Sequence, residues 1–379
     1  MNHVLLPPWY SYTLLLLESN ADRSKQYLVF FGTDVLQQRV PWRYMGELRY
    51  AVGGSPISHS LSPLLFSLVF HHLKKNGQVP NLIPRSLRLI ESVHVDEVLG
   101  WGYIEHDEHN PDWTLLNSRL DLNPIQLARR VEEVLTRDIR SSFEGFEPSR
   151  KQTPVSSYLP THYHGEEVWL NLTSPLKHQL QSMAFTPVDK GMEILSVNTL
   201  RWTGHGWYCA STDGAGVVDV AIHHGIDVAS GAVLGLNGGG GSARSIANAW
   251  LEAGGHVVSL GGRRKIDASL VSKTLADIEQ LDLLIDFDGT YDQQLKTKRT
   301  LTPDYLPLNG SLSERDSVLD SKNSTIDGRW MLAGQHLESW RRLWAPQCAE
   351  HLPTLPQLMS WLSDCELELA VSRSKSMEE

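Results

Sequence analysis

The chain of 379 residues predicts an α/β fold in two units, and three observations carry that reading. Gly231 to Leu260 runs as an apolar strand, a glycine loop, a helix and a second strand, one βαβ unit of the nucleotide-binding kind. Arg49-Tyr-Ala-Val-Gly53 reads as another strand, closing on glycine and feeding a helix through Ser62-Pro63. The length exceeds what a single hydrophobic core usually organises, so the two segments belong to two domains.

The elements follow in order. Residues 1–48 form an aromatic, leucine-rich N-terminal extension. Within it, Tyr12-Thr-Leu-Leu-Leu-Leu17 is short, lacks a basic flank and is followed by Glu18, so it predicts a buried strand or helix and no secretory signal. Tyr27-Leu-Val-Phe-Phe31 predicts a short strand. Ser62 is the expected N-cap of a helix that runs through Leu64–Lys74 and stops near Asn76-Gly77. Residues 76–165 have a mixed, polar composition and read as an insertion with one helix, Pro124 to Arg137, and a Pro- and Ser-rich linker at 148–161. From Val168 short apolar strands alternate with glycine turns, and Leu281-Asp-Leu-Leu-Ile-Asp286 is one more strand. Residues 293–328 read as polar loop, and Trp330 to Leu369 carries two helical patterns.

A net charge of −10 argues against nucleic acid as the partner and leaves any small anion dependent on a local positive patch. No segment is apolar for long enough to span a bilayer. The three cysteines, Cys209, Cys348 and Cys365, show neither metal-type pairing nor an even disulfide framework, which points to a reduced, cytoplasmic setting. His94, Asp96, His106, Asp107 and His109 fit no familiar metal spacing and read as solvated polar loop, so no metal is expected.

Chemistry concentrates between residues 169 and 213. Trp169-Leu-Asn-Leu-Thr-Ser-Pro-Leu-Lys177, Ser196-Val-Asn-Thr199 and Ser211-Thr-Asp-Gly214 bring an ammonium, a carboxylate and several short polar groups to strand and loop ends. That set suits gripping a polyhydroxylated ring and moving a proton to or from one of its oxygens. Farther on, Gly238, Gly239, Gly240, Gly241, Ser242 and Ala243 form a G-x-G-x-x-A loop that opens a helix, where free amides and the helix dipole favour a pyrophosphate. The next strand ends in Leu260-Gly-Gly-Arg-Arg-Lys265, with no acid for ribose hydroxyls and with Arg263 and Arg264 available to a 2′-phosphate. A surface salt bridge and a solvated basic turn are the plain alternatives for the Lys–Asp pair and the arginines.

Taken in order, these blocks resemble the shikimate dehydrogenase family over roughly residues 49–75 and 166–345. The resemblance implies that Ser60 and Ser62 of Ser-x-Ser-Pro hold a substrate carboxylate. It implies that Asn171 and Thr173 of Asn-x-Thr, Asn198 of Val-Asn-Thr and Gln335 of Asp327-Gly-Arg-Trp-Met-Leu-Ala-Gly-Gln335 bind the ring. Lys177 matches the family's lysine and Asp213 its aspartate, which makes them the catalytic pair. The implied architecture is a substrate domain at 49–212, carrying the 76–165 insertion, then a reduced Rossmann-like NADP domain at 213–329. Helices at 330–379 would return to the first domain. The implied activity is NADP-dependent reduction of 3-dehydroshikimate to shikimate in aromatic amino-acid biosynthesis, by a soluble monomer or homodimer with neither nucleic acid nor membrane as partner. Two other readings stay open: oxidation of quinate with NAD, and a non-catalytic protein that keeps the pocket. The cofactor half departs most. Asp286-Phe-Asp288 stands where the family has Asn-Ala-Thr, placing acid close to the nicotinamide side, and Tyr291 and Tyr305 fit its Asp-x-x-Tyr-x-Pro motif poorly.

Overall fold

The structure, a computed structural model, describes residues 46–78, 81–103, 124–137, 159, 163, 165–292 and 295–378, together with three short strands of the N-terminal extension. Those strands, β1 (His3–Val4), β2 (Leu14–Leu17) and β3 (Gln26–Val29), pair antiparallel in that order. The first unit comprises β4 (Gly46–Gly54), α1 (Ser62–Lys75), β5 (Leu82–Glu91), α2 (Val95–Tyr103), α3 (Pro124–Arg137), β6 (Glu166–Leu172), β7 (Phe185–Pro187), β8 (Thr199–Trp202) and β9 (Trp207–Ala210). Its six-stranded sheet has the order β5-β4-β6-β8-β9-β7. β4 lies parallel to β5 and β6, so the loops that leave β4 and β6 emerge side by side at the carboxyl edge.

The second unit begins with α4 (Asp213–His223) and continues through β10 (Val233–Asn237), α5 (Gly241–Glu252), β11 (His256–Gly261), β12 (Gln280–Asp286), β13 (Lys296–Leu301), α6 (Leu312–Leu319) and β14 (Thr325–Ile326). Its sheet is parallel throughout, in the order β11-β10-β12-β13-β14. Parallel strands need crossovers that cover both faces, hence the near-continuous apolar run of β10 and β12. The chain closes with α7 (Gly328–Ser339), a wide helical turn over Trp340–Trp344, and α8 (Leu355–Glu378).

Three local expectations need correction. Leu61, not Ser62, caps α1, and no side chain caps it; Ser62 is the first helical residue, with Pro63 next. The polar stretch from 76 contains β5 and α2, and β5 is an integral edge strand of the sheet. The alternation that marks β5 is blurred because charged residues snorkel along an edge strand. Residues 293–328 hold β13, α6 and β14, whose polar composition suits an outer strand and a surface helix. The linker at 148–161 lies outside the described residues except for Leu159.

An aromatic core ties the carboxyl end to the first unit. Trp344 stacks on Trp169 of β6 at 5.5 Å with planes 5° apart, while Trp340 meets the same ring edge-on at 5.2 Å. Tyr50 of β4 stacks on Phe66 of α1 at 4.3 Å. Beneath these rings a fully buried ion pair joins Arg201 to Glu167 at 2.8 Å, and Trp169 Nε1 donates to the same carboxylate. The two units meet where α4 crosses α7. A Cβ on Gly216 would lie 2.3 Å from the Gln335 amide, so only glycine allows that approach.

Two buried imidazoles give the fold a pH signature. Burial lowers His336 to about 3, and its Nε2 sits 3.2 Å from the indole N–H of Trp340, which needs an acceptor there. Burial likewise lowers His224 to about 4. Above pH 6.5 both are neutral, folded or unfolded. Below it the unfolded chain takes up protons that the folded chain refuses, so stability is lost as pH falls from about 6.5 toward 4. Each histidine should remove about 2 kcal/mol between pH 6.5 and 5. Urea midpoints at pH 7 and pH 5 measure it: His336→Gln should flatten the drop, and an unchanged drop would clear this histidine of responsibility.

Candidate active site

Residues 173–178 leave β6 in a tight turn, closed by a Leu176 N–H to Thr173 O bond of 2.8 Å, and this delivers Lys177 to the sheet's carboxyl edge. Its Nζ lies 2.5 Å from Asp213 Oδ2 and 2.9 Å from Ser242 Oγ. Asp213 is fully buried as the first residue of α4, where the helix dipole favours a carboxylate. Its other oxygen accepts from Asn198 Nδ2 at 2.8 Å, and Asn198 Oδ1 in turn accepts from the Thr212 amide at 2.7 Å. Thr199, Thr212 and Ser339 extend the network through hydroxyl contacts of 2.9–3.2 Å. The carboxylate is thus satisfied on both oxygens, the condition for keeping it charged out of water.

The other expected ring ligands lie on segments bonded to those that carry this pair. The Thr173 amide donates to Gly53 O and the Ser55 amide to Ser174 O, both at 2.9 Å, stitching the serine loop to the lysine loop. Ser60 Oγ accepts from the Ser62 amide at 3.3 Å, so one of the two serines braces the turn while the Ser62 hydroxyl has no partner among the described residues. Asn171 is buried: its Oδ1 accepts from Tyr50 Oη at 2.6 Å, and its Nδ2 lies 3.4 Å from Asn198 O. Gln335 sits half-buried where α7 crosses α4, one turn beyond Asp213. Tyr50 is absent from the expected set. Its signal is the alternation of β4, which puts it on the face that Asn171 also faces.

The glycine loop lies directly against this cluster. Gly238 has φ 105°, a Cβ on Gly239 would lie 2.4 Å from Lys265 O, and Gly240 has open space around it, a cradle suited to a diphosphate. Ala243 is buried beneath. The loop is fastened across the cleft: Ser196 Oγ donates to Gly241 O at 2.6 Å, and Arg244 donates to Ile194 O, Leu195 O and Gly239 O. Arg263 is not free as expected; its amide and guanidinium bind Asp288 at 2.6–3.1 Å. Arg264 is exposed, and its charge, after burial, helps lower His178.

Asp286 is likewise engaged, by the loop that follows it and by Asn237. Burial resists its ionisation, but bonds from the Tyr291 amide, Asn237 Nδ2 and the Asp288 and Gly289 amides outweigh that and hold the carboxyl below its ordinary value. Tyr305 lies under the Arg329 guanidinium at 5.1 Å. Among the described residues no group of three or more His, Cys, Asp or Glu can hold a metal, and His106, Asp107 and His109 lie outside those residues. No described helix is long and apolar enough to cross a membrane.

No family model matches the chain. An 88-residue stretch, 23% of the chain, is 43% identical to the NADP(+) shikimate dehydrogenase of Stenotrophomonas maltophilia. An 85-residue stretch is 42% identical to the enzyme of the same name from Xanthomonas campestris. The chain spans under a third of the length of these relatives, 31% and 30% respectively. Among solved structures, shikimate 5-dehydrogenase from Thermus thermophilus in complex with shikimate aligns with 85% of this chain and 99% of its own, at 19% identity and a TM-score of 0.49.

Asn198 carries the network, and its truncation tests it. Asn198→Ala leaves a buried carboxylate oxygen and the Thr212 amide without partners, which should cost about 2–4 kcal/mol. Chemical denaturation reads this as a lower midpoint at unchanged slope. A loss within a few tenths of a kcal/mol would mean that water replaces the amide and that the network is not dry.

Proposed function

We propose that this chain is an NADP-dependent dehydrogenase that interconverts 3-dehydroshikimate and shikimate for aromatic amino-acid biosynthesis. The observation that carries the reading is the Lys177–Asp213 pair, 2.5 Å apart, held beside a glycine loop that opens α5. The 43%-identical stretch shared with a protein named for that activity supports it. On this reading residues 49–212 bind substrate, 213–329 bind the dinucleotide and 330–379 complete the first unit. The protein works in the cytoplasm as a monomer or homodimer.

Each residue then has a task. Ser60 and Ser62 hold the ring carboxylate, with the Ser62 hydroxyl the freer of the two. Thr173, Asn198, Gln335 and the Tyr50-braced Asn171 orient the ring hydroxyls. Lys177 gives a proton to the oxygen that becomes negative as the carbonyl is reduced, and takes it back in the reverse direction. Asp213 keeps the ammonium aimed and stays charged throughout. Gly238, Gly239, Gly240, Gly241, Ser242 and Ala243 cradle the diphosphate, and Arg264 meets the 2′-phosphate. A nicotinamide held beside this loop would supply or accept the hydride. Arg263, engaged by Asp288, adds less to phosphate recognition, which favours a second reading in which NAD also serves and quinate is oxidised.

Two measurements separate these readings. Lys177→Ala should lower turnover by roughly 10² to 10⁴ while shikimate affinity changes little; unchanged turnover would leave Lys177 as a salt bridge only. Calorimetric titration of NADP and NAD should show Arg264→Ala weakening NADP by on the order of tenfold and NAD hardly at all, with Arg263→Ala milder. Equal binding of both cofactors by the unmodified chain would overturn the NADP assignment. Binding of shikimate with neither cofactor would favour the non-catalytic alternative.

A further inference from the structure

We infer that Ser242 is a positioning residue for Lys177, coupling the dinucleotide loop to the proton-transferring amine. The inference deepens the proposed function and rests on it for the role of Lys177. An ammonium has three N–H bonds at tetrahedral angles. Asp213 Oδ2 takes one at 2.5 Å and Ser242 Oγ a second at 2.9 Å, so the direction of the third is fixed. With Asp213 alone the amine would rotate about the Nζ–Oδ2 line.

The serine is itself well placed to fix an angle. It is the second residue of α5, and the first, Gly241, comes so close that an added Cβ would lie 3.1 Å from Lys177 Cβ. Ser196 holds Gly241 O at 2.6 Å, and Arg244 bonds from the same helical turn to Ile194 O and Leu195 O. Ser211 Oγ reaches Ser245 Oγ at 2.7 Å one turn farther along. Four contacts from the first unit thus lock the start of α5, and the Ser242–Lys177 distance is set by rigid backbone on both sides.

The hydroxyl also has a proton to give. Its oxygen accepts from Lys177, and no described residue accepts from it. It stands in the first turn of α5, where unsatisfied amides collect an anion. The Ser242 hydroxyl would donate a hydrogen bond to a diphosphate held there, which would keep the serine lone pairs turned to the ammonium and strengthen that bond. Cofactor occupancy is therefore felt at Lys177 through one hydroxyl.

The test follows the amine directly as well as through turnover. The unmodified chain, Ser242→Ala and Ser242→Thr are labelled with acetic anhydride across pH 7–11, with and without NADP, and modification of Lys177 is read by mass spectrometry. In Ser242→Ala the midpoint of the labelling profile should fall by about half to one pH unit, since a bond that favours the charged amine is gone. Its response to NADP should vanish. The acid limb of the shikimate-oxidation profile should move the same way, with kcat down about 5–30-fold and KM within about threefold. Ser242→Thr should restore both profiles. An Ala variant with the original midpoint and NADP response, whatever its melting temperature, would overturn the inference. If the unmodified chain oxidises no shikimate yet the labelling shift is seen, the positioning stands and the proposed reaction falls.

Discussion

Asp213 is a carboxylate with no exposed surface, and much of the site's architecture answers the demand that such a charge makes. A buried anion needs a cation or several donors, or it protonates. Lys177 supplies the cation, Asn198 the neutral donor and the α4 dipole the remainder. Each comes from a different segment, so the demand fixes the relative placement of the β6 loop, the strand entering β8 and the start of α4. Thr212 and Ser339 then bring α7 into the same network. One solvation requirement thereby sets the distances between Lys177, Asn198 and the start of α4.

The pair is legible in the sequence because its motif residues sit where strands end, and strand ends in parallel sheets converge on one edge. The glycine loop is legible for a similar reason, since positive φ and close backbone approach leave glycine few substitutes. Ser242, Tyr50 and Asp288 are harder. Each acts through a partner remote in sequence: Lys177, Asn171 and Arg263. Nothing in the local pattern of a serine or a tyrosine names that partner. The polar strands β5 and β13 escape notice on different grounds: edge and outer positions bury too little for a clean period of two.

Asp288 illustrates how an expected clamp changes meaning in three dimensions. As sequence, an acid near the cofactor side reads as repulsion of phosphate. In the structure its carboxylate receives the amide and guanidinium of Arg263, with the guanidinium itself largely in water. An exposed ion pair is worth little energetically, but the backbone bond at 2.6 Å also pins the β11 turn against Gly238, whose Cβ position lies 3.2 Å from Phe287. The acid therefore shapes the loop as much as it charges it. Arg264, the next residue, is left exposed beside the cleft.

The carboxyl end explains why the nucleotide-type sheet is nested inside the first unit and does not simply follow it. Trp340 and Trp344 fill the space between α1 and β6, and truncating a buried tryptophan of this kind typically costs about 3–5 kcal/mol. Tyr163 Oη donates to Trp344 O, and Arg201 donates to Leu343 O, so the wide turn is held by polar bonds as well as rings. The first core is therefore incomplete until the chain has passed through the second sheet and returned. That return forces α7 across α4 at Gly216, and Gln335 comes to the edge of the Asp213 network because the tryptophans behind it demand their place. Packing in the first unit and the position of Gln335 beside the Asp213 network are thus one constraint, imposed by the same short segment.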